Sequence, residues 1–219
     1  MIGQGTLTAI KNGTGGLDAK TIAALPDLRL ICVAATGMNN IDLVAAADHN
    51  IEGRNAVGYS TYAVAETTLC SALSLLREVT YYNDFFHSGR YAASERIFNF
   101  DRPTAQLRGK RWGIIGLGNI GREVGRLAEA FGCKVVYYST SGTARQEKYK
   151  ELSLEELLTS SDIVSIHCPL NERTAGLIGK EELAKMKSSA ILINVARGGI
   201  VDEAALAEAL DKGIIRGAA

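Results

Sequence analysis

Two stretches of this chain hold residue types whose order suits ligand chemistry. The first is Gly116-Leu117-Gly118-Asn119-Ile120-Gly121, set between an apolar run ending at Ile115 and a helical pattern opening at Asn119. In that setting each glycine has a physical task. Gly116 permits a tight turn, Gly118 lets backbone approach a pyrophosphate, and Gly121 lets helix and strand pack closely, while free N–H groups at the helix start face the phosphates. The turn therefore predicts a dinucleotide, with a purely structural turn as the alternative. The second stretch lies at the end of the next apolar run, where an acid for the adenosine ribose hydroxyls is expected about 20 residues on. Here Lys134–Tyr138 is followed by Ser139-Thr140-Ser141, and the first carboxylate after it is Glu147. Ser139 takes the acid's place. A 2′-phosphate then meets hydroxyls and Arg145 rather than a repelling carboxylate, unless Arg145 is only a solvated loop charge.

The elements that must hold these residues are clearest from Gly109 onward. Arg111–Ile115, Lys134–Tyr138, Asp162–Ile166, Ala190–Asn194 and Ile214–Ala218 are short apolar runs lacking period-two alternation, as strands covered on both faces are. Helical patterns separate them: Asn119–Phe131, Ser153–Thr159 with Ser153 and Glu156 in capping-box spacing, Lys180–Met186, and Asp202–Lys212 closed by Gly213. Such alternation implies right-handed crossovers and an α/β fold, a doubly wound parallel sheet. Upstream, a Gly-rich start without strand pattern precedes a short helix over Leu17–Leu25, a strand over Leu28–Val33, a helix to about Ala47 and a weak strand near Ile51–Val57. Ser60–Tyr82 reads as one long helix, and Gly89–Gln106 as a crossing loop.

Composition narrows the partners. With 24 basic against 24 acidic residues and no basic cluster, neither a nucleic acid nor an anionic membrane is the expected partner. A small molecule or a protein is. No apolar run reaches the roughly 18–20 residues a span requires, and the start lacks a signal-peptide pattern, so a cytoplasmic protein is expected. Cys32, Cys70, Cys133 and Cys168 form no CxxC pair and sit in apolar stretches, which predicts buried reduced thiols and no metal site. His49 and His87 fall in polar contexts and read as surface residues.

Three motifs in one order are then recognisable. Gly116–Gly121, Ser165-Ile166-His167-Cys168-Pro169-Leu170 with Thr174, and Asn194-Val195-Ala196-Arg197-Gly198-Gly199-Ile200-Val201-Asp202-Glu203 together resemble the D-isomer-specific 2-hydroxyacid dehydrogenases. The likeness extends upstream through Ala35–Asp42 and Gly58–Thr61, and its flavour is closest to glycerate or hydroxypyruvate enzymes. It implies a Rossmann-like cofactor domain over residues 59–219 and an incomplete, smaller flavodoxin-like substrate domain over 1–58. It also implies hydride transfer between a nicotinamide cofactor and a small D-2-hydroxy or 2-oxo acid. NAD is the cofactor the resemblance favours, with NADP open because of Ser139. By resemblance Asn119, Ile120, His167, Cys168, Pro169, Thr174, Val195 and Ala196 line the cofactor, and the Thr36-Gly37 loop offers backbone N–H groups to the substrate carboxylate. Arg197 is the catalytic candidate. It follows a strand's carboxyl end, and its planar fork can grip a 2-oxo acid's carboxylate and carbonyl oxygens together and polarise the carbonyl, an arginine capping local carbonyls being the alternative.

The resemblance also requires a glutamate after the next strand and a later histidine as proton donor, and neither has a counterpart in residues 1–219. The cofactor domain is accordingly expected to lack its C-terminal strands, and residues 1–16 to lack the family's first strand and helix. Two functions of different class follow: an oxidoreductase, inactive as this chain, or a non-catalytic dinucleotide-binding sensor or partner-binding module. A homodimer is expected through the cofactor domain, with Tyr81, Tyr82, Phe85 and Phe86 as the contact or, equally, as core.

Overall fold

The computed structural model describes residues 8–11, 15–142 and 147–219. The chain divides into two compact units, Met1–Ser60 and Thr61–Ala219. In the first, β1 (Thr8–Lys11), β2 (Leu30–Val33) and β3 (Glu52–Asn55) lie side by side in that order and run parallel. Parallel neighbours need crossovers. These contain α1 (Ala19–Ala23) and α2 (Leu43–Asp48), each opened by an aspartate that accepts a backbone hydrogen: Asp18 from Thr21 at 2.8 Å, Asp42 from Ala45 at 2.9 Å. Ile22, Leu28 and Ile31 are fully buried beneath them. β1 overturns the expectation that residues 1–16 hold no strand. Four residues flanked by glycines are too short to show a period, and the pairing Thr8↔Leu30 through Lys11↔Val33 is set by β2.

In the second unit β4 (Arg111–Ile115), β5 (Lys134–Tyr138), β6 (Lys150–Glu151), β7 (Ile163–Ile166), β8 (Ile191–Asn194) and β9 (Gly217–Ala218) form one parallel sheet ordered β6-β5-β4-β7-β8-β9. Numbered from β4, this is the doubly wound order 3-2-1-4-5-6, which turns back between β4 and β7. β7 is buried at all four positions because both faces are covered. On one face α3 (Thr61–Arg77) packs against α5 (Asn119–Ala130), with Ala65, Ala72, Leu76, Val124 and Ala128 over Trp112 and Ile114. On the other lie α6 (Leu154–Ser160), α7 (Lys180–Lys185) and α8 (Glu203–Asp211), with Leu157, Leu158, Leu183 and Ala209. The expected capping box is present: the Ser153 hydroxyl accepts from Glu156 N–H at 3.2 Å, and the Glu156 carboxylate accepts from Ser153 N–H at 2.9 Å.

The helix expected from Ser60 to Tyr82 is broken. Glu78 adopts φ 55°, and α4 (Val79–His87) starts after it. A non-glycine residue rarely takes this conformation unless its surroundings fix it. Here Arg216, just before β9, donates to Glu78 Oε1 at 3.1 Å and to the Pro103 carbonyl at 2.7 Å. That tie is tertiary, so no local pattern announces it. Cys133 and Cys168 are buried as expected, but Cys70 is exposed on α3 and Cys32 is half-buried. No helix among the described residues is long and apolar enough to cross a membrane.

Leu157 fills the space over Gly113, where an added Cβ would lie 2.6 Å from its Cδ2. Leu157→Ala is expected to lower the stability of the second unit by about 2–5 kcal/mol, read from urea unfolding, since the strands beneath are too well packed to collapse into the hole.

Candidate functional site

Parallel strands deliver their following loops to one edge. Ile115, Tyr138, Ile166 and Asn194 all end there, and β4 and β7 flank the point where strand order turns back, which is where an open α/β sheet leaves a crevice. A cleft occupies this position. It is lined by Gly116, Leu117 and Gly118 after β4, by Tyr137, Ser139, Thr140 and Ser141 at the end of β5, by Glu147, and by His167, Cys168 and Pro169 after β7.

The three glycines differ in what they are for. Gly116 has φ +92°, and a Cβ on it would stand 2.7 Å from the Cys168 nitrogen, so both backbone and space demand glycine. At Gly121 a Cβ would collide with the Gly116 carbonyl oxygen and stand 3.1 Å from Ile114 Cγ2, which holds α5 tight against β4. Gly118 is needed by neither constraint. Its φ of −82° suits any residue, and among the described residues a Cβ there would meet nothing within 4 Å. The space in front of it is left clear at the start of a helix whose N-cap has no side chain accepting its first N–H groups. An unneeded glycine beside uncapped amides fits an anionic ligand approaching the backbone.

The walls are largely uncharged. Trp112 Nε1 donates to Ser165 Oγ at 2.9 Å, and that oxygen lies 3.0 Å from His167 Nε2. The indole hydrogen already occupies Ser165, so the hydroxyl hydrogen is free to serve the imidazole. Burial pushes His167 down to about 4, so its ring is neutral at pH 7 and forms a wall rather than an acid. Burial likewise raises the Cys168 thiol, which keeps it protonated. Beside the β5 end, Ser139 and Ser141 hydroxyls are 3.1 Å apart, and Arg173 donates to the Ser141 carbonyl at 3.3 Å. Arg122, in the first turn of α5, pairs with Glu147 through Nε at 3.2 Å and through Nη2. Arg145 lies outside the described residues.

Of the residues singled out from sequence, Gly116, Gly118, Ser139, His167, Cys168 and Pro169 meet in this cleft. Asn119 and Ile120 sit just inside the helix start, and Val195 and Ala196 follow β8 on the same edge, half-buried, without lining it. Thr174 was expected to face the cofactor. It is fully buried, its hydroxyl donating to the Pro169 carbonyl at 2.6 Å and accepting from Asn171 N–H at 2.8 Å, so it builds the turn that carries Pro169. Arg197 is exposed after β8. Asn194 fixes its loop by accepting from Ala196 N–H at 3.1 Å and donating to the Arg197 carbonyl at 2.9 Å, and the guanidinium donates to the Ala196 carbonyl at 2.7 Å. In the first unit, Thr36 and Gly37 follow β2 in a loop pinned to the end of β3: Asn55 Nδ2 donates to the Thr36 carbonyl at 2.5 Å. His49 and His87 are exposed. Among the described residues no three His, Cys, Asp or Glu stand together as a metal site. Tyr137 and Glu147 are cleft residues that sequence reasoning missed, and no spacing rule signals Glu147.

Residues 69–219 match the family model described as D-isomer specific 2-hydroxyacid dehydrogenase, NAD binding domain. Over 200 residues the chain is 40% identical to a glycerate dehydrogenase of Methylorubrum extorquens, covering 91% of this chain and 62% of that protein. Among solved structures, an acyclic imino acid reductase in complex with NADPH and D-Arg superposes with a TM-score of 0.88 at 31% identity, over 97% of this chain and 67% of that one. An NAD-dependent formate dehydrogenase from Staphylococcus aureus in complex with NAD gives 0.79 at 31%, over 96% and 62%. The chain spans between 61% and 64% of the length of four curated relatives it matches.

Two outcomes check this geometry. Gly118→Ala is expected to leave thermal stability unchanged or raise it by up to about 1 kcal/mol, whereas Gly121→Ala costs about 1–3 kcal/mol. His167 binds a proton more readily unfolded than folded, so stability is full above pH 6.5 and falls as pH drops toward 4; urea midpoints of His167→Asn are expected to lose that part of the slope.

Proposed function

Since this chain belongs to the D-isomer specific 2-hydroxyacid dehydrogenase family, we propose that its cleft holds a nicotinamide dinucleotide for exchange of a hydride with a small D-2-hydroxy or 2-oxo acid. The observation that carries the reading is Gly118, a glycine that nothing among the described residues requires, at the uncapped start of α5. Residues 61–219 then act as the cofactor domain and the first unit as the substrate domain. Backbone N–H groups of Gly118, Asn119 and Ile120 hold the pyrophosphate, Ser139 takes a ribose hydroxyl, and neutral His167 with Cys168 and Pro169 walls the cofactor from water. Val195 and Ala196 face its nicotinamide end. The bound cofactor supplies the hydride and its acceptor.

Arg197 is assigned the substrate. Its fork presents two parallel N–H donors, which match a carboxylate and the adjacent carbonyl oxygen, and charge growing on that oxygen during hydride addition is stabilised by the guanidinium. Backbone N–H groups at Thr36 and Gly37, in the first unit, are likewise assigned to a substrate carboxylate. The general acid is assigned to no residue of this chain, because His167 is neutral and tied to Ser165. Hydroxyls at Ser139, Thr140 and Ser141 admit NADP beside NAD. A zero formal charge agrees with a small-molecule substrate rather than nucleic acid or membrane, and a cytoplasmic homodimer completes the proposal.

Trp112 is the chain's single tryptophan and lies in β4, the strand that leads into the glycine turn. NADH is expected to quench its emission by energy transfer, saturably, and Gly118→Val to abolish the response with the fold intact; an unresponsive wild-type chain contradicts the proposal. In a form that turns over hydroxypyruvate or glyoxylate, Arg197→Lys is expected to lower kcat/KM by roughly 10²–10³ with dinucleotide affinity unchanged, because the charge stays and the planar grip goes. Lost dinucleotide binding with normal turnover would make Arg197 structural.

A further inference from the structure

We infer that Glu147, held by Arg122, sets which dinucleotide the cleft prefers, by offering the adenosine ribose a carboxylate from a position outside the usual strand-end pattern. The inference rests on the dinucleotide reading above and names a specificity element within it. Three observations carry it. Glu147 lines the same cleft as Gly118, Ser139 and Ser141, and its side chain is only 13% exposed. Its partner stands in the first turn of α5, so the carboxylate is anchored to the same helix start that faces the phosphates. The pairing is two-point, Nε to Oε2 and Nη2 to Oε1, which fixes the carboxylate plane.

Charge then decides between the two cofactors. A carboxylate accepts several hydrogen bonds, so Glu147 keeps its arginine and still accepts from a ribose hydroxyl. A 2′-phosphate at that position meets like charge instead. Arg122 pulls the other way. Its guanidinium pairs with the carboxylate, and while Glu147 occupies its fork it is withheld from a phosphate. Arg173, exposed on the Ser141 side, is a second cation that keeps the discrimination finite. Tyr137, whose hydroxyl donates to Glu151 at 3.0 Å, is held protonated by burial and that carboxylate and adds no charge. The two members of one ion pair thus bias the cofactor ratio in opposite directions.

That opposition is the test. NADH and NADPH are titrated separately into the 219-residue chain, followed by Trp112 emission, for wild type, Glu147→Gln, Arg122→Gln and the double variant. Wild type is expected to favour NADH by roughly tenfold or more, and Glu147→Gln to move the ratio roughly tenfold toward NADPH. Arg122→Gln moves it further toward NADH, and the double variant loses the gain in NADPH affinity. Each ratio is taken within one variant, so general loosening of the fold cancels. Ratios constant within about twofold in both single variants, or shifted the same way in both, overturn the inference while leaving dinucleotide binding in place. A wild-type chain that responds to neither dinucleotide overturns both.

Discussion

The contact between Gly121 and the carbonyl of Gly116 governs the arrangement of the second unit. A single methyl group at residue 121 would strike that oxygen, so glycine lets α5 start directly on top of the turn leaving β4. Its uncapped N–H groups thereby project at the carboxyl edge of the sheet, in front of the point where strand order turns back. The turn also fixes β7, because Gly116 leaves room for the Cys168 backbone and little more. One close approach therefore brings together a row of donors and the His167–Pro169 wall, and the parallel sheet adds the loops after β5 and β8 to the same edge. The interaction is local to β4, α5 and β7.

The chemistry available at that edge follows from how its charges are arranged. Donors from backbone are fixed partial charges that need no counterion, whereas ionised side chains must be paired or exposed. His167 meets this by staying neutral, its Nε2 joined to Ser165 and through it to Trp112, while its Nδ1 has no partner among the described residues. Arg122 and Glu147 meet it by pairing at the cleft wall. Arg197 remains exposed on a loop that Asn194 braces, which suits a residue meant to meet an external anion. A neutral wall, a neutralised ion pair and exposed arginines at this edge suit the proposed division between a dinucleotide and a small acid.

Much of this was legible in the sequence because it depends on short-range physics. Strands buried on both faces leave apolar runs, as at Arg111–Ile115 and Ile191–Asn194, and the glycine spacing at 116–121 encodes the turn whatever surrounds it. The Ser153 and Glu156 capping box was readable for the same reason. What escaped depends on contacts distant along the chain. The break at Glu78 is held by Arg216, 138 residues away, and β1 needs β2 to become a strand; Thr174 is the local exception, its hydroxyl spent on its own turn. Glu147 escaped for a related reason, since the strand-end rule looks for an acid at Ser139 and here the acid lies further along the chain.

Diffraction from crystals of this chain grown with NADH would place the pyrophosphate. Its oxygens are expected within about 2.7–3.2 Å of backbone nitrogens between Gly118 and Ile120, with the Gly118 Cα in contact. A dinucleotide bound at any other edge of the sheet, or one whose pyrophosphate leaves those amides to water, would contradict that expectation.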